Sequence, residues 1–235
     1  MDDLSAFEIG SMVHVVTLLA CAVIVIVTVI LTRRHCHDAR ITRGIRASIV
    51  FGCLSSWVLS NGFWLQPSYF DWSSSLPLHF CNLANLVSAV AIWKKTRPAQ
   101  SLLYFWSFGL CTWAMLTPAL TAGPMTLWFW LFWLYHLFIF ISVAVVLTDG
   151  FRPTWADFRR SLTLTLSYMG ILAIVDAVTG WNYGFVGKGM PLQPSPMDFL
   201  GPYPIRLLWI ALIGTTIFAL LMLPWIRRNP NSQSR

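Results

Sequence analysis

Apolar residues run along this chain in seven blocks, each interrupted by charged residues or by Pro and Gly. A hydrocarbon layer about 30 Å thick is crossed by roughly 20 residues of helix. The pattern therefore predicts spans near 11–32, 47–66, 76–93, 101–121, 124–147, 161–180 and 204–226. The expected fold class is all-α, a polytopic membrane helix bundle forming a single integral membrane domain over 1–235.

The connecting segments test this reading, because basic residues collect on the cytoplasmic side of a membrane. The N-terminus carries Asp2, Asp3 and Glu8 without a base, and the first connection then holds Arg33, Arg34, Arg40, Arg43 and Arg46. Asp71 is the charge of the second, Lys94, Lys95 and Arg97 fill the third, and the fourth is uncharged. Arg152, Arg159 and Arg160 sit in the fifth beside Asp149 and Asp157, Lys188 and Asp198 in the sixth, and Arg227, Arg228 and Arg235 end the chain. Basic and poor connections alternate, which predicts seven spans with the N-terminus outside, the C-terminus in the cytoplasm and residence in the cell membrane.

Composition agrees, with 57% hydrophobic and 11% charged residues and a mean hydropathy of +0.65. Those values exclude an ordinary soluble domain. The net charge of +7 resides in short juxtamembrane loops, where it sets topology and meets anionic headgroups. Membrane lipids are thus the expected partners, and nucleic acid is not.

An acidic start with no small-residue cleavage site predicts no cleavable signal peptide. Leu18-Leu19-Ala20-Cys21 looks like a lipoprotein box, but apolar residues continue past it, so Cys21 reads as a lipid-facing or packing thiol. Five cysteines, mostly inside spans, predict no disulfide framework. His35-Cys36-His37-Asp38 lacks a distant second ligand pair and reads as a solvated loop. No metal and no cofactor are expected. The aromatic run 127–133 fits an interfacial belt extending into the bilayer.

The sixth connection, 181–203, contains Pro191, Pro194, Pro196 and Pro202, with Pro204 following, and predicts a stiff cap over the outer mouth. Ser161, Thr163, Thr165 and Ser167 alternate at a strand-like period, but an open strand cannot span lipid. Their hydroxyls are expected to bond helix carbonyls or a neighbouring helix.

The remaining intramembrane polar residues fall between the midplane and the outer face. Asn61 and Gln66 end the second span; His79, Cys81, Asn82 and Asn85 open the third; Tyr135 and His136 lie mid-span; Asp176 is near the outer surface. This predicts an outward-facing polar cavity. Helical spacing of about 100° per residue puts His79 and Cys81 on different faces, with Asn85 following Cys81 at i+4. A base for Cys81 would come from another helix, and His136 is the candidate. In upright helices it lies on the order of 8 to 10 Å deeper, a gap that tilt or a broken helix must close. Each residue also has an ordinary role: thiols pack, carboxamides join helices, a span histidine needs a partner, and an interfacial aspartate is hydrated.

Leu76-Pro77-Leu78-His79-Phe80-Cys81, the Tyr135-His136 pair, Asn182-Tyr183 and 198–204, Asp198-Phe199-Leu200-Gly201-Pro202-Tyr203-Pro204, occur in an order that resembles the YwaF-type integral membrane proteins. That group is similar to an animal transmembrane acyltransferase that remodels ether phospholipids, and more distantly to the androgen-induced serpentine hydrolases. The resemblance implies a Cys81 nucleophile and a His136 base, with Tyr183 and Asp198 in its other motifs. Asn82 stands where the family commonly has an acidic residue, and Tyr203 replaces its usual Trp.

The expected function is acyl transfer or ester hydrolysis on lipids, with Cys81 and His136 catalytic. Asn82 or Asn85 would serve the oxyanion, while His79, Asn61, Asp176, Tyr183 and Asp198 line or support the site. The alternative is a non-catalytic seven-helix small-solute transporter or sensor. No internal repeat favours a transporter, and no Lys in the last span offers a retinal Schiff base.

Overall fold

The computed structural model describes residues 5–190 and 195–226. These form α1 (Met12–Arg34), α2 (Ala39–Trp64), α3 (Phe80–Trp93), α4 (Arg97–Trp106), a π segment (Ser107–Cys111), α5 (Thr112–Leu116), α6 (Leu127–Thr148), α7 (Trp155–Thr179), α8 (Ile205–Leu220) and α9 (Leu223–Ile226). Short 3-10 turns at Tyr183–Phe185 and Pro196–Phe199 interrupt the segment between α7 and α8. Among the described residues there is no strand, only an isolated antiparallel bridge between Ala6 and Ala122. Among the described residues, four helices are long and apolar enough to cross a membrane: Met12–Arg34, Leu127–Thr148, Trp155–Thr179 and Ile205–Ile226.

Local chemistry explains where several helices depart from the hydropathy blocks. Asp38 caps α2 by accepting from the Arg40 and Ile41 amides, so Arg40, Arg43 and Arg46 ride on the helix instead of in a loop. Thr154 and Asp157 form a capping box that starts α7 at Trp155, six residues before the block at 161. At its other end, Gly180 adopts the left-handed conformation that stops the helix, with φ 78.

The third block shows the largest consequence. Its helix begins at Phe80 instead of residue 76, because Leu76 and Leu78 close a tight turn around Pro77 and His79 is extended, with φ −68 and ψ 149. Pro77 therefore precedes the helix instead of occupying its first turn.

Apolar residues surround α6 on every side, so it can be buried on every side. It is the central post: 67% of its apolar window is buried, against 11% for α1 and for Ile205–Ile226. Around it pack α1, α2, α3 and α4; α3 also contacts α2 and α4, and α7 lies on α4. Where α2 meets α6, a Cβ on Gly52 would lie 2.0 Å from the Phe138 ring, so glycine permits the close approach. Of the four alternating hydroxyls of α7, the buried Ser161 and Thr165 bond in both ways expected, while Thr163 and Ser167 are exposed. Thr165 donates to Ser161 O at 2.7 Å and accepts from Trp106 Nε1 at 2.7 Å, while Ser161 pairs with Ser101 at 2.6 Å.

The connections sort to two ends. At one, Asp149 pairs with Arg46 at 2.8 Å and Lys95 at 3.3 Å, and Asp157 takes a two-point contact from Arg97. At the other, Phe7 N bonds Thr121 O, Gly123 N bonds Ser5 O, and Tyr183 meets Trp72 and Leu76.

The Asp157 carboxylate is buried, whereas Arg97 is half exposed, and removing one partner of a buried pair leaves the other uncompensated. Arg97→Ala is expected to lower stability by about 1–3 kcal/mol, less than for a fully buried pair. Arg46→Ala, whose partner retains Lys95, should cost under about 1 kcal/mol. Denaturant melts in detergent measure both, and equal losses would contradict this ranking.

Candidate active site

The first amides of any helix have no acceptor within it, and His79 at the N-cap of α3 supplies no side-chain bond. Cys81 is the second residue of that helix, beside these free amides and at the positive end of the helix dipole. The start of α3 is held from outside. Tyr183 is fully buried; its hydroxyl donates to Trp72 O at 2.6 Å and accepts from Leu76 N at 2.9 Å. Tyr168 donates to Leu78 O at 2.7 Å. His79 Nδ1 accepts from Gly184 N at 3.2 Å, and its ring contacts Tyr183 and Phe185.

Cys111, His136 and His79 are the ionisable neighbours of the Cys81 thiol. Non-helical chain advances up to about 3.3 Å per residue, against about 1.5 Å in a helix. Unwinding 76–79 thus lets Cys81 sit deeper, toward His136, than an upright continuous helix would. Cys81 as a residue is half-buried, whereas Cys111 is fully buried.

His136 Nδ1 lies 2.8 Å from Phe132 O. A carbonyl only accepts, so Nδ1 carries the proton and Nε2 presents a lone pair. That Nε2 is buried without a hydrogen bond of regular geometry. That unengaged acceptor belongs to an ionisable neighbour of the thiol.

The carboxamides are committed elsewhere. Asn82 accepts from Tyr135 Oη at 2.7 Å and donates to Asn61 Oδ1 at 3.2 Å, while Asn61 donates to Trp57 O at 2.7 Å. Asn85 donates to Tyr135 O at 3.1 Å and Ser56 Oγ at 3.4 Å, leaving its buried Oδ1 unpaired. These bonds knit α2, α3 and α6 around the thiol, so neither Asn82 nor Asn85 stands as a ready oxyanion donor.

Asp176 and Tyr183 belong to the cap. The Asp176 carboxylate is buried near the Tyr183 amide, with no bond of regular geometry at either oxygen. Asp198 is exposed and accepts from Ser195 N at 2.8 Å, which makes it a local turn residue. Pro191 and Pro194 lie outside the described residues. Among the described residues no cluster of potential metal ligands occurs.

Sequence reasoning missed three contributors. Cys111 neighbours Cys81 from a π segment, a local irregularity that hydropathy does not report. His14 joins α1 to Met115 O at 2.8 Å, although its place in an apolar block was a visible cue. Arg206 is buried and donates to Gly189 O at 2.6 Å, and to Gly187 O and Met190 Sδ, strapping the cap to α8.

A family model described as the TMEM164 family matches residues 9–222, a region containing every element from α1 to α8 and all the residues just described except those before residue 9. The chain belongs to the TMEM164 family, a membrane protein family. The searches of curated proteins and of solved structures returned no match.

In this TMEM164 family chain, burial pushes the Tyr183 phenol above its ordinary value; the charges of Asp71 and Asp176 add to the rise, and donation from the Leu76 amide opposes it. Protonation is thus favoured by folding. The resulting stability is complete below the unfolded value of about 10 and lost as pH rises through the raised folded value. Alkaline unfolding followed by tyrosinate absorbance should show this component, and Tyr183→Phe should remove it. An unchanged alkaline profile would contradict the assignment.

Proposed function

We propose that this protein is a membrane-embedded enzyme of acyl transfer or ester hydrolysis on lipids, with Cys81 as nucleophile and His136 as base. The supporting observation is the unengaged Nε2 of His136, in the tautomer that takes a proton, on a neighbour of the half-buried Cys81 at a helix N-terminus. Catalytic hydrogen bonds often close only when substrate binds.

In the forward step Nε2 takes the thiol proton and sulfur attacks the ester carbonyl, forming a tetrahedral oxyanion. The free amides at the start of α3, including those of Phe80 and Cys81, are placed to donate to that oxygen. Collapse breaks the ester C–O bond; the leaving alcohol takes the proton from His136, and the acyl group remains as a thioester. A second alcohol or water, deprotonated by His136, then attacks the thioester and regenerates the thiol. Proton transfer between sulfur, nitrogen and oxygen completes the cycle.

This reading includes seven spans in the cell membrane, with an external N-terminus, a cytoplasmic C-terminus and a YwaF-type relationship. Its support is that the connections after α1, α3 and α6 meet at the basic end, while the N-terminal segment and the other connections meet at the capped end. The exposed apolar faces of α1, α7 and α8 support a lipid surround. With the cap outside, a lipid ester would enter from the outer half of the bilayer.

Purified protein in nanodiscs with an acyl-labelled phospholipid and a lysolipid acceptor tests the proposal. Cys81→Ala should reduce transfer to background, and His136→Ala should reduce it about 10²–10⁴-fold. Cys36→Ser, at an exposed loop thiol, should leave it unchanged. Full transfer by well-folded Cys81→Ala would sink the mechanism. A thiol-reactive probe separates the binding alternative: rapid labelling of Cys81 that depends on His136 supports the enzyme, and slow labelling independent of His136 supports a transporter or sensor.

A further inference from the structure

The mechanism above takes its oxyanion donors from the backbone alone, because Asn82 and Asn85 are committed elsewhere. His79 immediately precedes those amides. Its Nδ1 accepts from Gly184 N at 3.2 Å, and a ring nitrogen that accepts carries no proton, so the proton of the neutral imidazole is on Nε2. That N–H has no acceptor among the described residues, and unlike His136 Nε2 it is not sealed from the surface. The Gly184 amide is held firmly in place. Gly184 and Phe185 both take left-handed backbone, with φ 64 and 60, and Phe185 does so despite its Cβ. The rings of Tyr183 and Phe185 flank the imidazole at centroid distances of 5.3 and 5.4 Å, which limits its rotation.

Burial along the chain outlines a crevice at this point. Residues 76–83 are all half-buried, whereas Ala84 and Asn85 just beyond them are fully buried. A helix packed on one side alternates between covered and bare faces. Partial exposure of every residue, through the unwound segment and the first helical turn, marks chain that runs through a cleft, and both His79 and Cys81 belong to it.

We propose that His79 is a catalytic hydrogen-bond donor of the acyl-transfer site: its Nε2–H binds the ester carbonyl oxygen and, with the Phe80 and Cys81 amides, the oxyanion formed there. The inference rests on the functional reading above and supplies the side-chain donor that reading lacks. Two imidazoles are then held in opposite tautomers by backbone groups. At His136 a carbonyl, Phe132 O at 2.8 Å, puts the proton on Nδ1 and leaves Nε2 as the base. At His79 an amide, Gly184 N, leaves the proton on Nε2 and makes that nitrogen a donor. A neutral imidazole can polarise a carbonyl as an electrophile, and a donor fixed in advance strengthens its bond as charge develops on the oxygen. No proton is transferred from His79: its N–H stays on nitrogen through both tetrahedral intermediates, while His136 carries the proton between sulfur and the alcohols. The segment following α7 thus sets the chemistry of His79 through the single amide of Gly184.

Two substitutions separate this role from anchorage of the cap. His79→Asn keeps an oxygen acceptor near the position of Nδ1, and so the Gly184 bond, but has no N–H where Nε2 stands. His79→Gln places an N–H there and gives up the acceptor. With full-length protein in nanodiscs and the labelled phospholipid and lysolipid pair, His79→Asn should lower kcat about 10²–10³-fold with KM nearly unchanged, as for loss of one oxyanion donor. His79→Gln should stay within about tenfold of the parent. The reverse ranking, with His79→Asn at the parent rate, would show that His79 only anchors the cap and would overturn the proposal. Nitrogen NMR of isotope-labelled imidazoles in the parent protein checks the tautomers whether or not either variant folds. His79 should be protonated at Nε2 and His136 at Nδ1; a proton on Nδ1 of His79 would equally overturn the proposal. A parent protein without transfer removes the functional reading and this role with it, whereas transfer by the parent beside an undiminished His79→Asn rate removes the role of His79 alone.

Discussion

A helix that begins inside a bundle must leave its first amides without intrahelical acceptors, and in an apolar interior such groups are costly unless something meets them. The late start of α3 imposes this condition at Phe80. Much of the surrounding architecture answers it. Tyr183 and Tyr168 take up the polar backbone of the descending segment, and Gly184 anchors His79. The segment following α7 is thus part of the support of α3. The amides left open are those beside Cys81, so structural cost and chemical opportunity occupy the same turn.

The second ordering element is α6. Because it is apolar on every face it can occupy the centre, and its single imidazole is then buried wherever it falls. Bonding Nδ1 to Phe132 O removes one of the two polar atoms from the problem and fixes the tautomer. Tyr135, one residue earlier, extends its hydroxyl to Asn82 and offers its carbonyl to Asn85. One turn of α6 therefore positions both the base and the helix that carries the nucleophile.

The membrane class and the alternation of charge were legible in the sequence because both are compositional, written as block length and the placement of arginine and lysine. The concentration of polar side chains around the start of the third block was legible for the same reason. Helical periodicity gave the Cys81 to His136 relationship only as a depth gap, since it presumed a regular helix from residue 76. Pro77 held the relevant cue, but a proline suits a first turn as readily as a segment before one. Asn82 and Asn85 looked available because a sequence shows donors without showing what they already bond. The seven blocks and the four independently apolar helices differ for physical reasons: α2 carries its arginines within the helix, α3 is only 14 residues long, and the fourth block is broken into α4, the π segment and α5.

The π segment also divides the rod from Arg97 to Leu116 into two angular frames. Inserting one residue into a helix turns everything beyond it by about 100° relative to a regular continuation. Before the insertion, Ser101 and Tyr104 look toward α7 and the last helices; the π segment itself meets α3, and beyond it Met115 O meets His14. No single helical wheel describes both halves. The rod acts as a phase shifter, letting one crossing serve two sets of neighbours that an uninterrupted helix would have had to choose between.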